Sequence, residues 1–263
     1  MVRRTYEVPR LTRVVKSNLP DIWTFHTPSW SDLHSKVSEL NTTAGNETSY
    51  KVLILGRHGQ GYHNVGEAKH GNTYRHWALL NGDDQITWGP DPILTPLGEE
   101  QARTAHAAWK TELANGLTLP QKFYCSPMAR ALRTHTITFD GILPASDRKT
   151  IILEDAREEY GEHTCDKRRS RAAIAADFPD FVFENGFADE DVLWTKERET
   201  KESAERRARN VLDRIFDADT DATYVSITAH GGIINAILRV VGRGNFGMTT
   251  GGKHPPLRIW GVN

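Results

Sequence analysis

The stretch Arg57-His58-Gly59-Gln60-Gly61-Tyr62-His63-Asn64 concentrates reactive side chains where the chain must turn. Arginine offers a fixed fork of donors suited to a phosphate or carboxylate. The histidine beside it has a ring nitrogen that is nucleophilic while neutral, its dominant form near pH 7. Gly59 and Gly61 let the backbone turn and approach a ligand without Cβ clashes. Lys51 to Gly56, just before, is a short apolar run rich in branched residues, which reads as a buried strand. Arg57 and His58 are therefore expected where a strand meets its loop, the usual ligand position in open α/β sheets.

Two further junctions carry chemistry. Lys122 to Cys125 reads as a strand, followed by Ser126-Pro127 and a helix whose first turn holds Arg130. Thr223 to Ala229 reads as another strand, running into His230-Gly231-Gly232 and an apolar helix from Ile233 to Val241. Backbone donors and the dipole at a helix N-terminus favour an anion, so both junctions suit a phosphate. Taken singly, each has a plainer reading, a surface charge for Arg130 and a structural turn for His230. Thr150 to Leu153 reads as a third strand of the same kind and leads into the acidic cluster Glu154-Asp155-Ala156-Arg157-Glu158-Glu159.

Taken together these motifs resemble the histidine phosphatase superfamily, phosphoglycerate-mutase-like branch. The resemblance rests on Arg57-His58-Gly59 with Asn64 five residues on, Leu94-Thr95-x-x-Gly98-x-x-Gln101, Ser126-Pro127-x-x-Arg130-Ala131, and His230-Gly231. It spans roughly residues 50 to 242. Arg157-Glu158, Gly161 and Cys165-Asp166-x-Arg168 look like its eukaryotic phosphomutase-like subgroup. The resemblance implies a three-layer α/β/α fold with a mostly parallel central sheet over residues 51–263, preceded by an N-terminal extension, 1–50, packed on that domain. It also implies roles: His58 attacks phosphorus, and Arg57, Arg130 and His230 hold the phosphate. Glu158 donates the proton to the leaving group, with Glu159 as the alternative. Asn64 bonds the phosphate or steadies its loop, and Gln60 lines the mouth. The arginines supply the positive charge, so no metal or cofactor is expected.

Phosphatases and mutases of this type share the first half-reaction. The region of Glu158 lacks the Glu-Arg-His-Tyr-Gly pattern of phosphoglycerate mutases, which favours hydrolysis of a phosphorylated small molecule. The alternatives are a mutase-type phosphotransferase and a non-catalytic binder of a phosphorylated ligand.

Bulk composition narrows the rest. A chain of 263 residues is long enough for one large α/β core. Its 33 basic side chains balance 34 acidic ones, which argues against nucleic acid as a partner. No apolar run approaches a membrane span, and two cysteines do not make a disulfide scaffold. A reducing, cytoplasmic setting is expected, with nucleus and mitochondrion left open; oligomeric state is not legible. Trp23, Phe25 and Trp30 read as anchors of the extension, with Leu33, Val37 and Leu40 at helical spacing. The segment from Gly66 to Pro92, with Tyr74, His76, Trp77 and Trp88, reads equally well as a substrate-side loop or a packed surface excursion. Thr95 is expected to cap a helix that begins at Pro96. The run Lys167 to Arg171 reads as a solvated face, with Arg168 a possible substrate contact. Glu184 to Asp191 reads as an exposed acidic loop. Glu202 to Phe216 reads as an amphipathic helix, and the glycine-rich tail through Lys253-His254-Pro255-Pro256 as a closing loop and strand.

Overall fold

The computed structural model describes residues 29–45, 48–71, 75–248 and 257–262. In chain order the elements are α1 (Trp30–Thr43), β1 (Lys51–Arg57), α2 (Tyr62–His70), α3 (Pro96–Ala114), β2 (Lys122–Cys125), α4 (Ala129–Phe139), α5 (Ala145–Arg148), β3 (Ile151–Ile152), α6 (Arg171–Asp177), β4 (Val182–Phe183), α7 (Lys201–Ala218), β5 (Tyr224–Ala229), α8 (Gly231–Val240) and β6 (Leu257–Val262). Single 3₁₀ turns lie at Arg75–Leu79, Glu154–Ala156 and Thr164–Asp166.

The strands form one sheet in the order β4-β3-β2-β5-β1-β6. All neighbours are parallel except β6, which runs antiparallel to β1. Strand alternation builds the layers, because successive side chains point to opposite faces. Leu53 and Leu55 of β1 enter a core with α7 and α8, while Val52 and Ile54 enter a second core with α1 and α3. Helices therefore cover both faces, as expected for strands buried on both sides.

Helix ends follow local chemistry. The Thr95 hydroxyl accepts from the Gly98 amide and Pro96 opens α3, as the sequence predicts. Ser29, Ser170 and Thr200 cap α1, α6 and α7 in the same way. Trp30, Leu33 and Val37 of α1 are buried against Trp109, Phe123 and Phe139. This part of the N-terminal segment is thus a structural piece of the core. Trp23, Phe25, Tyr74 and Lys253 to Pro256 lie outside the described residues.

The order of the strands positions the site. β5 lies between β1 and β2, so the C-terminal ends of three adjacent strands open side by side. Their register is even: the His58 amide donates to the Ala229 carbonyl at 3.0 Å, and the Ser126 amide to the Thr228 carbonyl at 2.9 Å. Segments far apart in sequence are thereby brought together at the strand ends, where an open α/β sheet binds ligands.

Candidate active site

Arg57-His58, Ser126 with Arg130, and His230 all sit at this edge. The imidazoles of His58 and His230 face each other with ring centres 4.9 Å apart. Both rings are buried. The loop that carries His58 is pinned by backbone contact. A Cβ on Gly59 would overlap the backbone of Gly98 at the start of α3, and one on Gly98 would overlap Gln60. Glycine at both positions is required for the loop to lie flat on that helix.

Hydrogen bonds define the tautomers. The His58 Nδ1 lies 2.6 Å from the Gly59 carbonyl oxygen, which can only accept, so the proton is on Nδ1 and the lone pair on Nε2. Ser126 Oγ accepts from the Met128 amide at 3.4 Å and lies 2.7 Å from His230 Nε2. That hydroxyl can donate to Nε2 or accept from it; the donating arrangement, which leaves the His230 proton on Nδ1, is the one suited to an anion. Burial holds the His58 pKa well below the usual imidazole value, and the charges of Arg130 and Arg57 push it further the same way. Burial, then Arg130 and His58, do the same to His230. Both rings are neutral at pH 7.

A third imidazole joins them. His63, in the first turn of α2, sits with its ring centre 5.4 Å from that of His58. Four buried side-chain nitrogens here have no hydrogen-bond partner: Arg57 Nε, His63 Nδ1, Arg130 Nε and His230 Nδ1. Such atoms are costly to bury alone. The His63 and His230 rings flank that of His58, and unpartnered nitrogens of this kind suit an anion with several acceptor oxygens.

The acidic cluster completes the pocket. Glu158 faces the cavity. One carboxylate oxygen accepts from the Glu159 amide at 2.9 Å and the other from the Gly232 amide at 3.1 Å. Burial raises its pKa and the charge of Asp166 adds to the rise, against the opposing amide bonds. Gly232 is tight against it, since a Cβ there would overlap the Glu158 carboxylate. Glu159 differs: its Oε1 is 2.5 Å from Lys201 Nζ. Both glutamates line the cavity, but only Glu159 is tied up in an ion pair among the described residues.

Other expectations need adjustment. Arg130 is fully buried, and its guanidinium already meets the Asp166 carboxylate at 3.0 Å and the Cys165 carbonyl at 2.8 Å. Its Nε has no partner among the described residues. Asn64 lines the cavity, and its side-chain oxygen accepts from the Gly61 amide at 3.0 Å, so it steadies the loop. Gln60 is turned away from the mouth: its side-chain oxygen accepts from the Thr95 hydroxyl at 2.8 Å, fastening the loop to α3. Arg168 does not reach the pocket. It is buried, paired with Glu154 at 2.9 Å, and donates to the carbonyls of Ala188, Asp189 and Glu190. Hence residues 167–171 are not simply a solvated face, and the acidic segment before Asp191 is held by that guanidinium. Arg157, also buried, bridges Glu154 and Asp191 at 2.8 and 2.7 Å and donates to the Asp166 carbonyl. These two arginines build the loop that presents Glu158 and Asp166.

Several pocket residues were not given a site role by the sequence: His63, Glu67, His163, Asp166 and Arg198. His63 and Glu67 sit four apart on α2, a spacing that puts them on one helix face and could have been noticed. Arg198 comes from the loop before α7, and no local pattern marks it. Trp77 answers both readings of its segment, since it packs edge-on against Trp88 at 5.7 Å and also lines the cavity.

The cavity has a volume of about 250 Å³. Another of about 320 Å³ lies between α1 and the start of β5, lined by His34, Asn41, Gln121 and Tyr224 among others, with no acidic, lysine or arginine side chain on its wall. Size alone would favour the latter; the clustered reactive groups favour the former. His163, Cys165 and Asp166 bring ligand atoms within 4.8 Å of one another. Both Asp166 oxygens are engaged by guanidiniums, Arg130 at 3.0 Å and Arg198 at 2.7 Å, and burial pushes the Cys165 thiol well up. This donor set is poorly disposed to a cation.

Comparison with known proteins agrees with this geometry. The family model described as Histidine phosphatase superfamily (branch 1) matches residues 53–249. The chain belongs to the histidine phosphatase superfamily. It is 40% identical over 233 residues to a "Probable phosphoglycerate mutase" of Arthroderma benhamiae, covering 87% of this chain and 69% of the relative. It is 33% identical over 251 residues to a "Probable phosphoglycerate mutase" of Saccharomyces cerevisiae, covering 87% and 80%. Among solved structures it matches the alpha-ribazole phosphatase from Shigella flexneri at 18% identity and a TM-score of 0.45, covering 74% of this chain and 81% of that one. No helix among the described residues is long and apolar enough to cross a membrane.

Proposed function

We propose that this member of the superfamily is a phosphatase that hydrolyses a small phosphate monoester through a phosphohistidine on His58. The observation that carries the reading is the His58 ring itself. It is neutral, oriented by the Gly59 carbonyl so that Nε2 carries the lone pair, and lies beside the rings of His63 and His230, whose Nδ1 atoms have no partner among the described residues.

The steps balance as follows. His58 Nε2 forms a bond to phosphorus as the ester P–O bond breaks. Arg57 and the Nδ1–H of His230 hold non-bridging oxygens, with Arg130 Nε and its charge behind them. Fixed donors of this kind stabilise charge in the transition state without reorganising. Glu158, protonated, gives its proton to the departing alkoxide. Water then attacks phosphorus, the P–N bond breaks, and the Glu158 carboxylate takes the water's proton, restoring both groups.

Hydrolysis is favoured over mutase chemistry by the absence of the Glu-Arg-His-Tyr-Gly pattern near Glu158, although the relatives above carry mutase names. The test compares release of inorganic phosphate from a panel of monoesters with isomerisation of 3-phosphoglycerate. Phosphate release abolished by His58→Ala supports the reading. Isomerisation outpacing release, or equal release by wild type and His58→Ala, overturns it.

A further inference from the structure

The outer wall of the active-site cavity differs in charge from its inner cup. Most cations there are already committed. Arg130 and Arg198 share the single carboxylate of Asp166 at 3.0 and 2.7 Å. Lys201 holds Glu159 at 2.5 Å. That leaves a surplus of one positive charge from the Arg130–Asp166–Arg198 group and one from Arg57. Two positive charges match a phosphate monoester dianion, and none remains for a second anionic group.

One acid is left over. Glu67 lies on the cavity wall, one helical turn beyond His63, and makes no ion pair among the described residues. It is near enough for its charge to act on both Arg57 and His163. Beside it, the Trp77 and His163 rings sit with centres 6.3 Å apart, both on the wall. A carboxylate and aromatic rings on one wall are a setting that receives cations, by charge and by the ring quadrupole. One helical turn, about 5 Å, is also the order of separation between phosphorus and nitrogen across a two-carbon spacer. The cavity is small for a ligand site, which limits the alcohol part to a compact group.

We propose, resting on the phosphatase reading above, that the pocket is built for the phosphomonoester of a small cationic alcohol. Its ammonium would face Glu67 and lie over the Trp77–His163 pair. Carboxylate-bearing esters such as phosphoglycerate are then disfavoured by the same acid.

The test is kcat/KM for three esters of similar size: choline phosphate (cationic), glycerol 3-phosphate (neutral) and 3-phosphoglycerate (anionic), with p-nitrophenyl phosphate as the reference. Wild type is expected to prefer them in that order, with about a hundredfold between the extremes, from one charge met favourably and one unfavourably across a few ångströms at a partly exposed site. Glu67→Lys should reverse the order, moving the ratio between the extremes by about 10⁴-fold from wild type. Glu67→Gln should bring the three close together. A wild type that turns over 3-phosphoglycerate as well as or better than glycerol 3-phosphate overturns the inference, as does a ratio unmoved by Glu67→Lys. If p-nitrophenyl phosphate and all three esters are inert, the phosphatase reading itself fails and takes this inference with it. Turnover of the reference ester with the wrong order among the three sinks only the inference.

Discussion

Replacing Glu158 by glutamine removes the proposed proton donor while keeping its size, and that proposal fixes where the loss should appear. The carboxylate is held by two backbone amides, from Glu159 and Gly232, and its pKa is raised by burial and by Asp166. General acid catalysis by a placed side chain contributes typically about 10²- to 10⁴-fold, or about 3 to 5 kcal/mol of barrier. That contribution matters only when the leaving group is a poor one. An alkyl phosphate departs as a strongly basic alkoxide and needs the proton. p-Nitrophenyl phosphate departs as a stable phenolate and does not. Single-turnover formation of the phosphoenzyme should therefore fall by about 10²-fold or more with an alkyl ester and by less than about tenfold with the nitrophenyl ester. Gly232→Ala should reproduce the pattern from the other side, because the added methyl displaces the same carboxylate. Glu159→Gln is the control: its carboxylate is tied to Lys201, and only a few-fold loss is expected. Equal losses on both esters in Glu158→Gln, or a selective alkyl-ester loss in Glu159→Gln, would refute the assignment.

Further expectations concern pH and stability. Activity should fall as pH rises through the raised Glu158 pKa, because the acid form is lost, and should persist below the usual imidazole range, because His58 protonates only well below it; a kcat/KM profile flat to pH 9 contradicts the donor role. His135 is buried between the hydroxyls of Thr228 and Thr150, at 2.9 and 2.8 Å, and burial lowers its pKa well below the ordinary value. Its stabilising contribution is complete above about pH 6.5 and is lost as pH falls toward the lowered value, so His135→Asn should reduce the stability lost between pH 6.5 and 5.5 by about 1 kcal/mol in urea titrations; an unchanged loss means that this ring does not stay neutral. Asp191→Ala strips buried Arg157 of a bidentate partner and should cost about 3–5 kcal/mol, read by chemical denaturation, with a loss under about 1 kcal/mol counting against the buried network. Asp166→Asn should lower stability while tightening inorganic phosphate, since Arg130 and Arg198 lose their shared anion; calorimetric titration showing weaker phosphate binding would oppose that picture.

The parts of the site that the sequence disclosed are those written in local patterns. Apolar runs ending at Arg57, Cys125 and Ala229 gave three strands, and the junctions after them gave His58, Arg130 and His230. The sheet's central order, with β5 between β1 and β2, joins these junctions, and no local pattern states it; the family resemblance implied the fold. What remained hidden depends on long-range pairing. Arg130 looked like a free phosphate anchor because Asp166, 36 residues on, is a partner that helix chemistry cannot reveal. Arg168 looked like a substrate contact in a solvated run because the carbonyls it satisfies belong to a distant loop. Gln60 looked like a mouth residue because its contact with Thr95 depends on the close approach of two glycines, Gly59 and Gly98.

The claim on which all of this rests is that His58 becomes covalently phosphorylated. Rapid quench of wild-type enzyme with a saturating alkyl ester, followed by intact mass and site mapping under alkaline conditions that preserve phosphohistidine, reads it directly. The expected result is one phosphoryl group per chain, located on His58, formed before free phosphate appears and absent from His58→Ala. Turnover with no such adduct, or an adduct on His63 or His230 instead, would contradict it.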